Sequence, residues 1–223
     1  MTRERPAAAV LISGGGTNLQ AFIDAVDSGS LAIDLKVVVS NRGDAYGLTR
    51  AANAGIDTLC IPHTDFADRE SFDRALADAL DARAPDIVIL AGFMRILTPV
   101  FVSRFAGRIL NIHPSLLPKY PGLHTHQRAI DAGDTWAGST VHFVTDELDG
   151  GPSIIQGPVR VLPGDDAASL AARVLEVEHQ IYPRAVALLA DGRLELRDGR
   201  AWLDGEPLEA PIRHEGAATI ASE

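Results

Sequence analysis

Cysteine is nearly missing from this 223-residue chain, and Cys60 stands alone. An intrachain disulfide and a cysteine-built metal cluster are both excluded, and a reducing compartment is the expected setting. Long apolar runs are missing too. Behind the charged leader Met1–Pro6, the apolar stretch from Ala7 to Ile12 is too short for a signal segment, and no other stretch is long enough to span a membrane. A soluble, cytoplasmic protein is expected. Positive charge is scarce, with 20 Lys and Arg against 30 Asp and Glu and a formal charge of −10. That balance argues against non-specific affinity for nucleic acid or an anionic membrane, while leaving room for a local basic pocket around one phosphate.

Several catalytic signatures are absent as well. No Gly-Lys-Ser/Thr follows the glycine-rich start, which rules out a P-loop. Ser115 lacks a Gly-x-Ser-x-Gly elbow and Cys60 has no basic neighbour in sequence, so neither is the expected nucleophile. His124 and His126 look like a ligand pair among seven histidines, but no His-Glu-x-x-His or third ligand accompanies them. No metal is expected.

Apolar residues make up 46% of the chain, enough to build the core of one α/β domain. Apolar runs alternate with helical periodicity, which predicts a mostly parallel, Rossmann-like sheet flanked by helices. The expected strands are Ala8–Ser13, Leu35–Ser40, Thr58–Ile61, Ile87–Ala91 and Ile109–Ile112, with Ser139–Val144 and Ser153–Val159 pairing differently from the first group. Phe72, Leu76, Ala79 and Leu80 mark a helix capped by Asp68 and closed by Pro85. A last helix starts near Asp166, carries Leu170, Val174, Val177 and Ile181 on one face, and should kink or end near Tyr182 because of Pro183. Asp198-Gly199 signals a hairpin between Arg193–Arg197 and Ala201–Leu203. A single domain over residues 1–204 is expected, with residues 205–223 a tail of little fixed structure.

Two places concentrate chemistry. Ser13-Gly14-Gly15-Gly16-Thr17-Asn18 joins the first strand to a helix bearing Leu19, Phe22 and Ile23, where a close backbone approach and free N–H groups suit an anion. Gly14 and Gly16 meet the first two positions of the dinucleotide fingerprint, but Leu19 takes the third, and Ser40-Asn41 stands where a ribose-binding carboxylate belongs. A monophosphate site and a plain strand-to-helix turn both remain open. The second place is Asn111-Ile112-His113-Pro114. Asn111 and His113 are two residues apart on a strand end and point to one side, and Pro114 stops the ladder. With Asp149 arriving on a separate loop, an amide, an imidazole and a carboxylate suit reaction at a carbonyl. Singly, each has a plain structural role: a strand-end amide, a buried histidine, a turn carboxylate. Together they lie beside glycine-rich loops at strand ends, where α/β proteins bind ligands.

The Ser13–Leu19 loop, Ala91-Gly92-Phe93-Met94-Arg95-Ile96-Leu97, the Asn111–Gly122 block and His142–Pro152 together resemble the glycinamide ribonucleotide transformylase family, the folate-dependent formyltransferases of purine biosynthesis. The likeness runs in order from about residue 8 to 197. Asn-x-His-Pro-Ser-Leu-Leu-Pro alone points only to the wider formyl-tetrahydrofolate group; Pro121–His126 and the ending Glu178-His179-x-Ile181-Tyr182-Pro183 narrow it. The resemblance implies the formyltransferase fold and transfer of formyl from 10-formyltetrahydrofolate, as co-substrate, to the amine of glycinamide ribonucleotide. It implies neither metal nor covalent enzyme intermediate. Asn111, His113 and Asp149 match the family's catalytic trio, with Asn111 the oxyanion donor and Asp149 orienting a charged His113. Gly16, Thr17 and Asn18 match the phosphate site, and Glu178 matches a contact to the ribose. Arg69, Met94, Arg95, Ile96 and Leu97 match the folate pocket, together with Asn111 and with Thr145, Asp146 and Asp149 in the loop that closes round the pterin. Partners are these two small molecules, without nucleic acid or membrane, and the chain is a monomer or homodimer.

Rival readings are a formyltetrahydrofolate hydrolase, methionyl-tRNA or sugar-nucleotide formyltransferases, and a non-catalytic folate- or nucleotide-binding module. A first strand near Ala8 leaves no room for the domain that precedes the hydrolase core. The short tail and a charge of −10 disfavour the tRNA enzyme.

Overall fold

A computed structural model describes residues 5–215. The chain opens with strand β1 (Ala7–Ile12), helix α1 (Thr17–Asp27), strand β2 (Asp34–Ser40), helix α2 (Tyr46–Asn53) and strand β3 (Asp57–Cys60). Helix α3 (Arg69–Asp81), strand β4 (Ile87–Leu90), helix α4 (Pro99–Arg104) and strand β5 (Ile109–His113) follow. Then come helix α5 (Thr125–Asp131), strands β6 (Trp136–Phe143) and β7 (Ser153–Arg160), and the long helix α6 (Ala167–Ala190). Short strands β8 (Leu194–Arg197), β9 (Arg200–Leu203), β10 (Glu206–Pro207) and β11 (Ile212–Arg213) complete it.

Eight strands form one sheet in the order β11-β7-β6-β5-β4-β1-β2-β3. The pairs from β3 through β5 are parallel. Strands β5, β6 and β7 pair antiparallel, the change of pairing expected for the later strands. Connections leave β1 in one direction toward β2 and β3, while β4 and β5 lie on its other side. The carboxyl ends of β1 and β4 therefore flank a switch point, where α/β sheets bind ligands.

Strand β1 reads as an unbroken apolar run because both its faces are covered. Ala8, Val10 and Ile12 join a core with Phe22, Ile181 and Tyr182; Ala9 and Leu11 join another with Phe72, Leu76 and Phe101. The seven expected strands are all present, their ends displaced by at most one residue except at the start of β6, which begins three residues earlier. Asp68 and Asp166 cap α3 and α6, each accepting from the backbone N–H three residues on, at 2.7 and 2.8 Å. Asp198 (φ 47°) and Gly199 (φ 71°) both take the left-handed conformation a two-residue hairpin requires. Among the described residues no helix is long and apolar enough to cross a membrane.

The structure corrects two expectations. No boundary falls near Tyr182, since α6 passes through Pro183 and continues to Ala190. Proline removes one helical bond, but Ile181, Tyr182, Ala185 and Val186 are wholly buried and hold the helix on either side. The second concerns residues after Gly205. Leu208 N–H donates to the Ala201 carbonyl at 2.8 Å, and Ile212–Arg213 adds a parallel strand beside β7. Tertiary pairing orders what lacks local periodicity; residues 216–223 lie outside the described residues.

Tyr182 locks α6 to the sheet. Its hydroxyl lies 3.0 Å from the Leu90 carbonyl on β4 and 2.9 Å from the Leu110 carbonyl on the adjacent β5. Tyr182→Phe leaves these buried acceptors without that donor, so unfolding free energy should fall by about 1–3 kcal/mol. Denaturant titration reads this directly, and an unchanged midpoint would show that the hydroxyl contributes nothing.

Candidate active site

Three strand ends and two loops build the site. Ser13, at the end of β1, donates from its hydroxyl to Asn41 Oδ1 at 2.6 Å and accepts from the Met94 N–H at 2.8 Å. One buried hydroxyl thus ties the start of the glycine loop to the 92–97 loop. Gly16 has φ +70°, and a Cβ there would meet the Gly47 Cα at 2.7 Å, so only glycine fits. It precedes α1 without a side-chain cap, and the N–H groups of Thr17 and Asn18 donate to no group among the described residues. A helix start of this kind attracts an anion.

Asn18 and Glu178 are distant in sequence and adjacent in space. Asn18 Nδ2 donates to Glu178 Oε2 at 2.8 Å, while Asn18 Oδ1 is buried and receives no donor. The Ser139 hydroxyl lies 3.0 Å from Glu178 Oε1 and 2.8 Å from the His113 carbonyl. Burial pushes the Glu178 carboxyl above the ordinary range, opposed by the bonds from Asn18 and Ser139. The folded state therefore holds a proton that the unfolded state releases, and stability falls as pH rises from the ordinary carboxylate range through the raised value. Glu178→Gln removes that loss. Asn18 needs only to turn its amide to present Oδ1 to the new donor. At neutral pH the variant should melt higher, by about 2–4 °C per kcal/mol recovered, with the gap closing in acid. A lower melting point at neutral pH would contradict the burial argument.

Of the expected trio, His113 and Asp149 lie side by side, and Asn111 is two residues before His113 on β5. His113 Nδ1 lies 3.4 Å from Asp149 Oδ2, both side chains being over nine-tenths buried. His113 Nε2 lies 2.8 Å from the Tyr120 carbonyl, so each ring nitrogen faces an acceptor. A carbonyl only accepts, so Nε2 carries the proton that meets Tyr120. Asp149 takes a left-handed conformation (φ 52°), and its Oδ2 accepts the Gly122 N–H at 2.9 Å, joining the loop after β6 to the loop after β5.

His142 has a role the sequence reading missed. It sits opposite Asn111 across the β5–β6 ladder. Its Nδ1 lies 2.8 Å from the Phe143 carbonyl and must donate, leaving the Nε2 lone pair to accept from Asn111 Nδ2 at 3.1 Å. Burial lowers the pKa of His142 and favours this neutral form. The tautomer fixes which way the Asn111 amide turns and leaves its second N–H for another acceptor. The signal was the register of an antiparallel pair, which local sequence does not carry.

The remaining candidates divide. Met94 and Ile96 are exposed, and Leu97 packs on the second core together with Val144, which brings the 92–97 and 144–149 loops to one side. Arg95 lies over the Phe72 ring and its buried Nε has no acceptor. Arg69, exposed at the start of α3, and Arg95 both act on the buried Asp73 carboxyl, which burial itself pushes up. Thr145 is half-buried and Asp146 exposed, and neither side chain is tied to another group among the described residues. No group of three His, Cys, Asp or Glu among those residues is arranged to hold a metal ion.

An amide, an imidazole and a carboxylate gathered near a glycine loop at the strand ends of an α/β sheet define the class of site. The chain belongs to the formyl transferase family, whose sequence model matches residues 7–186. It is 55% identical over 199 residues to the phosphoribosylglycinamide formyltransferase of Escherichia coli (strain K12), covering 89% of this chain and 94% of that one. Identity to the Homo sapiens trifunctional purine biosynthetic protein adenosine-3 is 44% over 194 residues, 87% of this chain and 19% of the longer one. The solved structure of the Coxiella burnetii phosphoribosylglycinamide formyltransferase superposes with a TM-score of 0.90 at 49% identity, covering 94% of this chain and 99% of that one.

Proposed function

We propose that this chain transfers the formyl group of 10-formyltetrahydrofolate to the amine of glycinamide ribonucleotide, giving formylglycinamide ribonucleotide and tetrahydrofolate for purine biosynthesis. The observation that carries this reading is the Ser139 hydroxyl, bonded both to Glu178 and to the backbone of His113. It joins the carboxylate offered to a ribose directly to the reacting end of the cleft. Gly16, Thr17 and Asn18 hold the phosphate, and Glu178 accepts from ribose hydroxyls.

A ligand that joins a flat ring system to carboxylates fits the other side. Met94 and Ile96 offer exposed apolar surface, with Leu97 beneath, and the unpartnered Arg95 Nε and exposed Arg69 answer the carboxylates. Thr145, Asp146 and Asp149 border the pterin. As the glycinamide nitrogen bonds to the formyl carbon, charge develops on the formyl oxygen and Asn111 donates its remaining N–H to it. In this reading His113, set between Asp149 and the Tyr120 carbonyl, is the group that supplies positive charge beside it. Asp149 takes the proton released by the amine through water. The bond from the formyl carbon to the folate nitrogen then breaks, and that nitrogen receives a proton.

The folate co-substrate, the absence of a metal requirement, and a cytoplasmic monomer or homodimer belong to the same reading. Tetrahydrofolate release from 10-formyltetrahydrofolate tests it, measured with and without the ribonucleotide. Release that requires the ribonucleotide is expected. Equal release in its absence would mean attack by water, and none at all would mean a binding module.

A further inference from the structure

Helix α2 packs against the glycine loop and governs its shape. The Gly47 N–H donates to the Gly14 carbonyl at 3.0 Å, and Arg50 Nε donates to the Gly15 carbonyl at 2.8 Å. A trans peptide points its carbonyl and its N–H in opposite directions. Two carbonyls drawn toward α2 therefore turn the N–H groups of Gly15 and Gly16 away from it, and neither donates within the described residues. Successive N–H groups presented in this way form an anion-binding concavity.

Arg50 is itself held on several sides. One terminal nitrogen donates to Gln20 Oε1 at 3.1 Å, the guanidinium lies 5.0 Å from the centre of the Tyr46 ring, and Cδ stands 3.5 Å from where a Gly16 Cβ would be. Among the described residues no carboxylate pairs with it, in a chain carrying ten more acidic than basic groups. The buried and unpartnered Asn18 Oδ1, on the first turn of α1, marks independently that a ligand belongs beside this loop.

We propose that Arg50 is a positioning residue for the phosphate of the substrate. It holds the Gly15–Gly16 peptide in the orientation that offers Gly16 N–H to the anion, and it places positive charge behind that peptide. Contact with the phosphate is made by the backbone, and Arg50 acts through it. The inference rests on the glycine loop being the ribonucleotide phosphate site.

Two acceptors separate this role from a structural one: glycinamide ribonucleotide and the corresponding riboside without phosphate. Arg50→Ala should lower kcat/KM for the ribonucleotide by about 10- to 100-fold, the scale of one charge-assisted hydrogen bond, mostly through KM. For the riboside it should change kcat/KM less than about twofold, because the lost bond serves only the phosphate. Arg50→Gln keeps an amide donor for the Gly15 carbonyl and should recover part of the loss; it also carries the comparison if the alanine variant fails to fold. Equal losses on both acceptors, or no loss on either, would overturn the proposal. If the wild-type protein itself shows no preference for the ribonucleotide over the riboside, the phosphate reading of the loop fails first and the role of Arg50 falls with it.

Discussion

Asn111→Ala should lower turnover by roughly 10²–10³, the usual effect of removing one oxyanion donor. The amide stands at the end of β5, half-buried, with Nδ2 held 3.1 Å from His142 Nε2. Because His142 Nδ1 must donate to the Phe143 carbonyl, the lone pair on Nε2 determines which end of the amide faces it. The remaining N–H is pre-aimed and needs no reorganisation as charge develops. An interaction made only in the transition state lowers kcat and kcat/KM together, so KM for the ribonucleotide should change little. Losing the donor to His142 costs about 1–3 kcal/mol at most, a few degrees of melting temperature. Circular dichroism and steady-state kinetics on the same preparation check both points. A turnover near that of the unmodified protein would remove Asn111 from the mechanism.

Asp149→Asn should be equally damaging, with turnover falling by roughly 10²–10⁴ as expected for a group that handles protons in the transition state. The substitution keeps shape and removes charge. Asparagine tolerates the left-handed conformation at φ 52° and retains an oxygen for the Gly122 N–H, so the loop should hold its place. What is lost is the anion 3.4 Å from His113 Nδ1. The amide oxygen that still accepts from Gly122 faces that nitrogen as a neutral group, so the ring keeps its neighbours and loses only the negative charge beside it. A change in kcat below about tenfold, with the fold unchanged, would mean that Asp149 only ties two loops together.

Much of this was legible from residue order because local and tertiary demands agree. Ala8–Ile12 reads as a buried strand since β1 is covered on both faces, and the Leu170, Val174 and Ile181 stripe of α6 is the stripe the core takes up. The pairing of Asn111 with His113 follows from strand alternation and needs no partner strand. Contacts set by register or long-range packing were not legible. His142 meets Asn111 only because β6 runs antiparallel to β5, and Asn18 meets Glu178 across 160 residues. Helix α2 is eight residues with a glycine near its start, a poor helical signal. That glycine is required because Gly16 approaches it closely. Pro183 and the strand at Ile212–Arg213 show the same thing from the other side: packing overrides a local breaker, and sheet pairing orders a patternless segment.

The fate of the formyl carbon is the most direct test. With 10-formyltetrahydrofolate labelled with carbon-13 at the formyl group and glycinamide ribonucleotide as acceptor, the label is expected on the glycinamide nitrogen, one equivalent for each tetrahydrofolate released. Recovery of the label as formate would contradict transfer to the amine and assign the attack to water.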